Sequence, residues 1–141
     1  MFNKNLLYIL TILEAIEKIG IYSKEFSDPL EFFEANEQMN FNATLNLLIA
    51  IGEEAKKIDN QIKQSVSEVQ WSSVIALRNE LSHNYRGVDY HIIWSIIQEH
   101  LGDIKRACIF ILKELDTSSL VLKEIIASRY YDHLTYLLSE L

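Results

Sequence analysis

The chain has 141 residues, 49% of them hydrophobic and 23% charged, with four Gly, one Pro, one Cys and a net charge of −7. That length suits one domain with a substantial core, a lone cysteine excludes a disulfide scaffold, and so little Gly and Pro excludes collagen-like and low-complexity chains. The acidity is heaviest over residues 1–40, where three lysines face seven acids, and it excludes a broadly basic nucleic-acid surface, so contact with phosphate would need a local basic site.

The N-terminal stretch carries helical polarity and no small-residue cleavage site. It is therefore expected to be helix rather than a signal peptide. No run reaches the roughly 18 apolar residues that span a bilayer, and a cytoplasmic protein without membrane association is the expectation. Leu6, Ile9, Leu10, Leu13 and Ile16 recur at helical spacing and predict a first helix over 3–19, which Gly20 loosens or ends. Asp28-Pro29-Leu30-Glu31 then reads as a capping box with Pro at the first helical position. The helix it starts is expected to be short, because Asn36, Asn40 and Asn42 interrupt the apolar pattern.

From Asn42 the pattern resumes through Leu45, Leu48, Ile49, Ala55 and Ile58, which predicts a helix to about residue 59. Gly52 inside it costs about 1 kcal/mol relative to Ala and points to close approach by another helix. A short helix or turn over 62–69 precedes a firmer helix from Trp71 to Ser82. Asp89 is expected to cap a long helix that carries Ile93, Ile97, Leu101, Ile104, Cys108 and Leu112 on one face. Thr117-Ser118-Ser119 breaks it and caps a last helix. No alternating strand pattern competes. The expected fold is an all-α antiparallel helical bundle over 1–116 with an appended C-terminal amphipathic helix over 117–141.

Arg78-Asn79-Glu80-Leu81-Ser82-His83-Asn84-Tyr85-Arg86-Gly87 is the stretch with chemistry. Arg78, Ser82 and Tyr85 share a helix face, whereas His83 would point about 140° away from Arg78 in a continuous helix. A joint Arg–His site therefore needs the helix to end before His83, or the second member to come from another chain. The turn signal of 84–87 favours an end nearby, and two-fold pairing would gather two Arg and two His in one cleft. A neutral-range imidazole can take a proton from a ribose 2′-OH or give one to a leaving 5′-oxygen. Arg can clamp the phosphate. The other reading is a capped helix end, with His83 bonding a carbonyl and Tyr85 packing.

Arg78, four residues, His83, one residue and Tyr85 resembles the Arg-x4-His-x-Tyr motif of HepT-like toxins, helical ribonucleases of the HEPN superfamily. Ile51-Gly52-Glu53-Glu54-Ala55-Lys56-Lys57 is similar to that family's Ile-Gly-Glu-x-Ala-Lys helix. Trp71, Ile75, Arg78-Asn79 and Leu81, then Gly87-Val88-Asp89 and Trp94, extend the likeness over about residues 4–115. The resemblance implies the toxin of a type VII toxin–antitoxin pair: a homodimeric endoribonuclease, needing no metal or other cofactor, that cuts RNA, with tRNA a candidate substrate. It implies that Arg78 binds phosphate, His83 is the acid–base residue and Asn79 positions them. It further implies a minimal nucleotidyltransferase antitoxin (MntA-like) that transfers AMP to Tyr85 and so blocks the cleft. Glu53 could hold an Arg, which the resemblance supports; the alternative is a solvated face with Lys56 and Lys57. A different expectation for the whole chain is a non-catalytic binding or regulatory partner of a nucleotidyltransferase, and a third makes that partner the toxic member.

Two departures stand out. Asn84 occupies a position where many relatives have Gly, and because Asn tolerates left-handed angles the turn is expected to survive. The tail from 117 runs past the usual domain end, and its apolar face is expected on its own bundle, with a dimer or the antitoxin as the other possible surfaces. His91 and His100 lack metal-ligand spacing, and Asp89-Tyr90-His91 reads as a helix start. Cys108, Trp71 and Trp94 read as packing residues, Lys105 and Arg106 as surface charge with guidance of RNA as the alternative, and Arg129, Tyr130, Tyr131 and His133 as helical surface.

Overall fold

The computed structural model describes residues 3–115 and 117–141, so the break expected at 116–119 lies partly outside the described residues. It is an all-α antiparallel helical bundle, with no strand among the described residues. The helices are α1 (Lys4–Ser23), α2 (Pro29–Lys57), α3 (Asn60–Gln64), α4 (Trp71–His83), α5 (Tyr90–Glu99), α6 (Leu101–Glu114), α7 (Ser119–Ile126) and α8 (Leu137–Glu140). Single 3-10 segments lie at Tyr85–Gly87 and Arg129–Leu134.

α1 is the central rod. Leu6, Ile9, Leu10, Ile12, Leu13 and Ile19 are all buried, and α2, α6 and the 129–134 segment pack around it. Gly20 does not end α1, which continues to Ser23. The Ser23 hydroxyl donates to the Ile19 carbonyl at 2.8 Å, and Lys24 N–H closes the last turn on the Gly20 carbonyl. At the other end, Asn3 caps α1, and the Asn5 amide exchanges two 3.0 Å hydrogen bonds with Asp59. The start of α1 is thereby tied to the end of α2.

Asp28 caps α2 as expected: its side chain accepts from Glu31 N–H at 2.9 Å, with Pro29 in the first turn. The asparagine-rich stretch is where α2 is interrupted. Ala35 is extended, and Asn36, Glu37 and Gln38 follow in the left-handed region at φ 52°, 58° and 69°. Asn40 braces this turn, accepting from Asn36 and donating to the Tyr22 carbonyl.

The helix expected to run unbroken from Asp89 is two helices, α5 and α6. His100 separates them at φ −114°, while Asp89 still caps α5 by accepting from His91 N–H. Residues 117–141, expected as one amphipathic helix, are instead divided into α7, the 3-10 segment and α8. Their Leu122, Ile126, Leu134 and Leu137 enter the same core as α1. Ser118 caps α7, accepting from Val121 N–H.

Of the polar tail residues read as surface, Arg129 and Tyr130 are exposed while Tyr131 and His133 bond inward. His133 meets Glu14, a buried carboxylate of α1, through both its ring Nδ1 and its backbone N–H. The Tyr131 hydroxyl pairs with Thr11, and the Tyr136 hydroxyl donates to Glu17 at 3.1 Å. Lys105 is likewise not free surface charge: its ammonium lies 2.8 Å from Glu17 and 5.0 Å from the Tyr136 ring centroid. Arg106 pairs with Asp103 on the exposed face of α6. Cys108 is fully buried.

Candidate active site

Gly52 decides how the site is built. A Cβ placed on it would lie 2.3 Å from Arg78 Cβ and 3.1 Å from the Val74 carbonyl oxygen. Only a residue without a side chain lets α4 approach α2 this closely. The contact anticipated from an interior glycine is thus made by the arginine of the motif itself.

Seated there, Arg78 is held from two sides. Nη1 donates to Asn79 Oδ1 at 2.8 Å and Nη2 to Glu53 Oε1 at 3.1 Å. Nε is buried with no hydrogen-bond partner among the described residues. The side chain keeps 31% of its surface exposed, so the guanidinium is oriented by protein yet open to an incoming anion. Glu54, next to Glu53, turns away to pair with Lys57 at 3.1 Å. The structure therefore brings Glu53, Arg78 and Asn79 together, at a contact between elements far apart in sequence.

Among the described residues no hydrogen bond ties His83 or Tyr85 to that trio. α4 runs through His83, so the helix does not end early enough to swing the imidazole round to Arg78. Five positions along one helix, the two side chains point about 140° apart. His83 is exposed, and among the described residues its ring makes no hydrogen bond, unlike the carbonyl-capping role considered for it. Tyr85 opens the 3-10 turn that follows, 49% exposed rather than packed.

The turn survives Asn84, but not through left-handed backbone: Asn84 sits at φ −134°, its N–H closing α4 on the Glu80 carbonyl at 2.8 Å. Its side-chain amide folds over Gly87, where a Cβ would come within 2.8 Å of Oδ1. Asn84 and Gly87 fit as a pair.

A cavity of about 530 Å³ lies elsewhere, between α2, α4 and α6, with Ile51, Leu77 and Ile104 in its apolar lining and Glu68, Glu80 and Asp103 among its polar residues. It contains none of Glu53, Arg78, Asn79, His83 or Tyr85, so the motif lies outside it. Among the described residues no cluster of His, Cys, Asp or Glu is arranged to hold a metal ion, and no helix is long and apolar enough to cross a membrane.

Sequence reasoning missed one feature beside the motif. Phe33, Tyr90 and His91 stack face to face, linking the first part of α2 to the start of α5. Its signal was the run of aromatics at 32, 33, 41, 90 and 94, which reads one residue at a time as core.

The family model described as ribonuclease HepT-like matches residues 12–111. A "Putative RNase" of Methanocaldococcus jannaschii is 32% identical over 99 residues, which are 70% of this chain and 88% of the relative. "Probable ribonuclease HepT" of Thermococcus cleftensis is 33% identical over 98 residues, 70% of this chain and 86% of the relative. A second "Putative RNase" of M. jannaschii is 28% identical over 109 residues, 77% of this chain and 91% of the relative. No solved structure matches the chain.

Proposed function

The chain belongs to the HepT-like ribonuclease family, and from that premise we propose that it is the toxin of a toxin–antitoxin pair, an endoribonuclease that cuts RNA by 2′-OH attack. The observation that carries this reading is Arg78, oriented by Glu53 and Asn79 yet still open, on the same short helix as an exposed His83. In the cleavage step His83 takes the proton of a ribose 2′-OH. The 2′-oxygen attacks the adjacent phosphorus, the bond to the 5′-oxygen breaks, and that oxygen leaves with a proton from water. The products are a 2′,3′-cyclic phosphate and a 5′-OH. Arg78 balances the charge that builds on the phosphoryl oxygens, and the step uses no metal.

A homodimer that pairs the ends of two α4 helices resolves the divergence of Arg78 and His83. The shared cleft then holds two Arg–His pairs, each with its arginine from one protomer and its histidine from the other. Two guanidinium groups in one place would also supply the local positive charge that the acidic chain otherwise lacks.

Tyr85 is 49% exposed two residues after His83, accessible to a modifying enzyme. A nucleotidyltransferase antitoxin would join it to the α-phosphate of ATP with loss of pyrophosphate. The attached AMP would put bulk and an anion next to Arg78 and His83, excluding RNA by sterics and charge.

The test is expression alone and with a partner nucleotidyltransferase, followed by intact mass and an assay of cellular RNA. The expected outcome is cleaved RNA for the protein alone, whole RNA for soluble His83→Ala, and added AMP mapped to Tyr85 only on co-expression. Growth arrest that persists with soluble His83→Ala would sink the ribonuclease mechanism. Whole RNA with a stable complex would favour a non-catalytic partner of the nucleotidyltransferase.

A further inference from the structure

The column of rings beside the motif begins in the bundle and ends in solvent. Phe33 meets Phe41 edge-on at 4.8 Å and stacks on Tyr90, with centroids 4.7 Å apart and planes at 17°. Tyr90 stacks in turn on His91 at 4.4 Å and 28°. Neighbouring positions of a helix do not ordinarily face each other, so the rings of Tyr90 and His91 have turned together at the start of α5. Asp89 steadies the outer residue: its Oδ1 accepts from His91 N–H at 2.8 Å and lies 3.9 Å from the ring Nδ1. The His91 side chain is nevertheless 58% exposed. The column thus presents a supported flat ring to solvent.

Its position gives the ring a use. Arg86, an exposed cation in the 3-10 turn that follows His83, lies five residues before His91. Even fully extended, that stretch places the two within roughly 18 Å of each other, which a few linked nucleotides span. Single-stranded RNA is held by base stacking on aromatic rings combined with cations along the backbone. Stacking needs no net positive charge, which suits a protein at −7.

We propose that the exposed face of His91, backed by Tyr90 and Phe33, is a nucleobase-stacking subsite for the strand whose scissile phosphate sits at Arg78 and His83, with Arg86 facing a neighbouring phosphate. The proposal rests on the ribonuclease reading. It makes His91 a positioning residue for RNA, whereas as a plain helix start it would have no effect on RNA at all.

The probe is a set of single-stranded RNA oligonucleotides, each carrying one 2-aminopurine at a different position, bound to His83→Ala protein so that the strand stays whole. Quenching is expected at one position. Adding His91→Ala should abolish it and weaken Kd roughly tenfold, within the range seen when a stacking ring is lost. Adding His91→Trp should restore both. In protein with His83 intact, His91→Ala should raise KM by a similar factor and His91→Trp should reverse the rise. Quenching and Kd unmoved by His91→Ala, in a protein that still cuts RNA, would overturn the subsite and leave the ribonuclease reading standing. Loss that His91→Trp fails to rescue would also overturn it, since hydrogen bonding rather than stacking would then hold the base. A wild-type protein that neither binds nor cuts RNA would overturn both.

Discussion

Gly52 and Gly20 are the same residue type in helix interiors with opposite surroundings. A Cβ at Gly52 meets Arg78 Cβ at 2.3 Å, whereas at Gly20 it meets nothing within 4 Å. Alanine gains about 1 kcal/mol of helix propensity at either place. At Gly20 nothing opposes the gain, so Gly20→Ala is expected to stabilise by about 0.5–1 kcal/mol. At Gly52 the helices must separate, an overpacking cost of about 1–3 kcal/mol, and Arg78 moves with α4. Gly52→Ala is therefore expected to lower the urea midpoint and cleavage together. A raised midpoint for both variants would show that the α2–α4 contact is not a constraint. The Arg78–Glu53 pair is half-exposed and contributes at most about 1 kcal/mol, so its role is to aim the guanidinium rather than to hold the fold.

At the scale of elements, the tail is a strap across α1. Glu14 is only 5% exposed, and His133 supplies both contacts to its carboxylate. A charged group left short of partners in such a place costs about 1–3 kcal/mol per lost hydrogen bond. His133→Ala, which keeps the backbone N–H but removes the ring, is expected to destabilise by that amount in urea titrations; an unchanged midpoint would make the contact ornamental. The tail also predicts a pH dependence. Burial first, and then Glu17 beside it, raises the Tyr136 hydroxyl above its usual range, and burial pushes the Cys108 thiol up to about 12. Each group keeps its proton in the folded chain at a pH where the unfolded chain has lost it, so stability must fall as pH rises past the unfolded values of about 8.5–10. The urea midpoint should decline from pH 8.5 to 10.5, and Tyr136→Phe should flatten the decline. A midpoint that rises over that window contradicts the assignment.

For the whole molecule the property to test is the proposed pairing of chains. Arg78 and His83 diverge by about 140° along an unbroken α4, so in the proposed homodimer a cleft that needs both is composite. Arg78→Ala and His83→Ala proteins should each be folded and inactive. Mixed and allowed to exchange, half of the dimers would be hetero, and each would hold one intact Arg–His pair. Cleavage should then return to roughly a quarter of wild type, as two-fold symmetry requires. Mixing either variant with the double mutant should restore nothing. Recovery in neither mixture would mean that each chain carries its own complete site.

Period and punctuation in the sequence determined the helices, because burying a stripe requires 3.6-residue spacing and a cap requires a short polar side chain. The Asp28 and Ser118 caps, the interruption near Asn36, and the close approach at Gly52 were legible for that reason, as was the family, since the Arg78–Tyr85 spacing and the Gly52 helix are local strings. Only the tertiary structure decided which helix meets Gly52, that Glu53 faces Arg78 while Glu54 does not, that α4 continues through His83, and that Tyr131, His133 and Lys105 bond inward. The aromatic stack belongs to the same class. Each joins side chains from elements, or rotamers within one, whose meeting depends on how rods pack in three dimensions, and helical periodicity specifies which face is buried without specifying its partner.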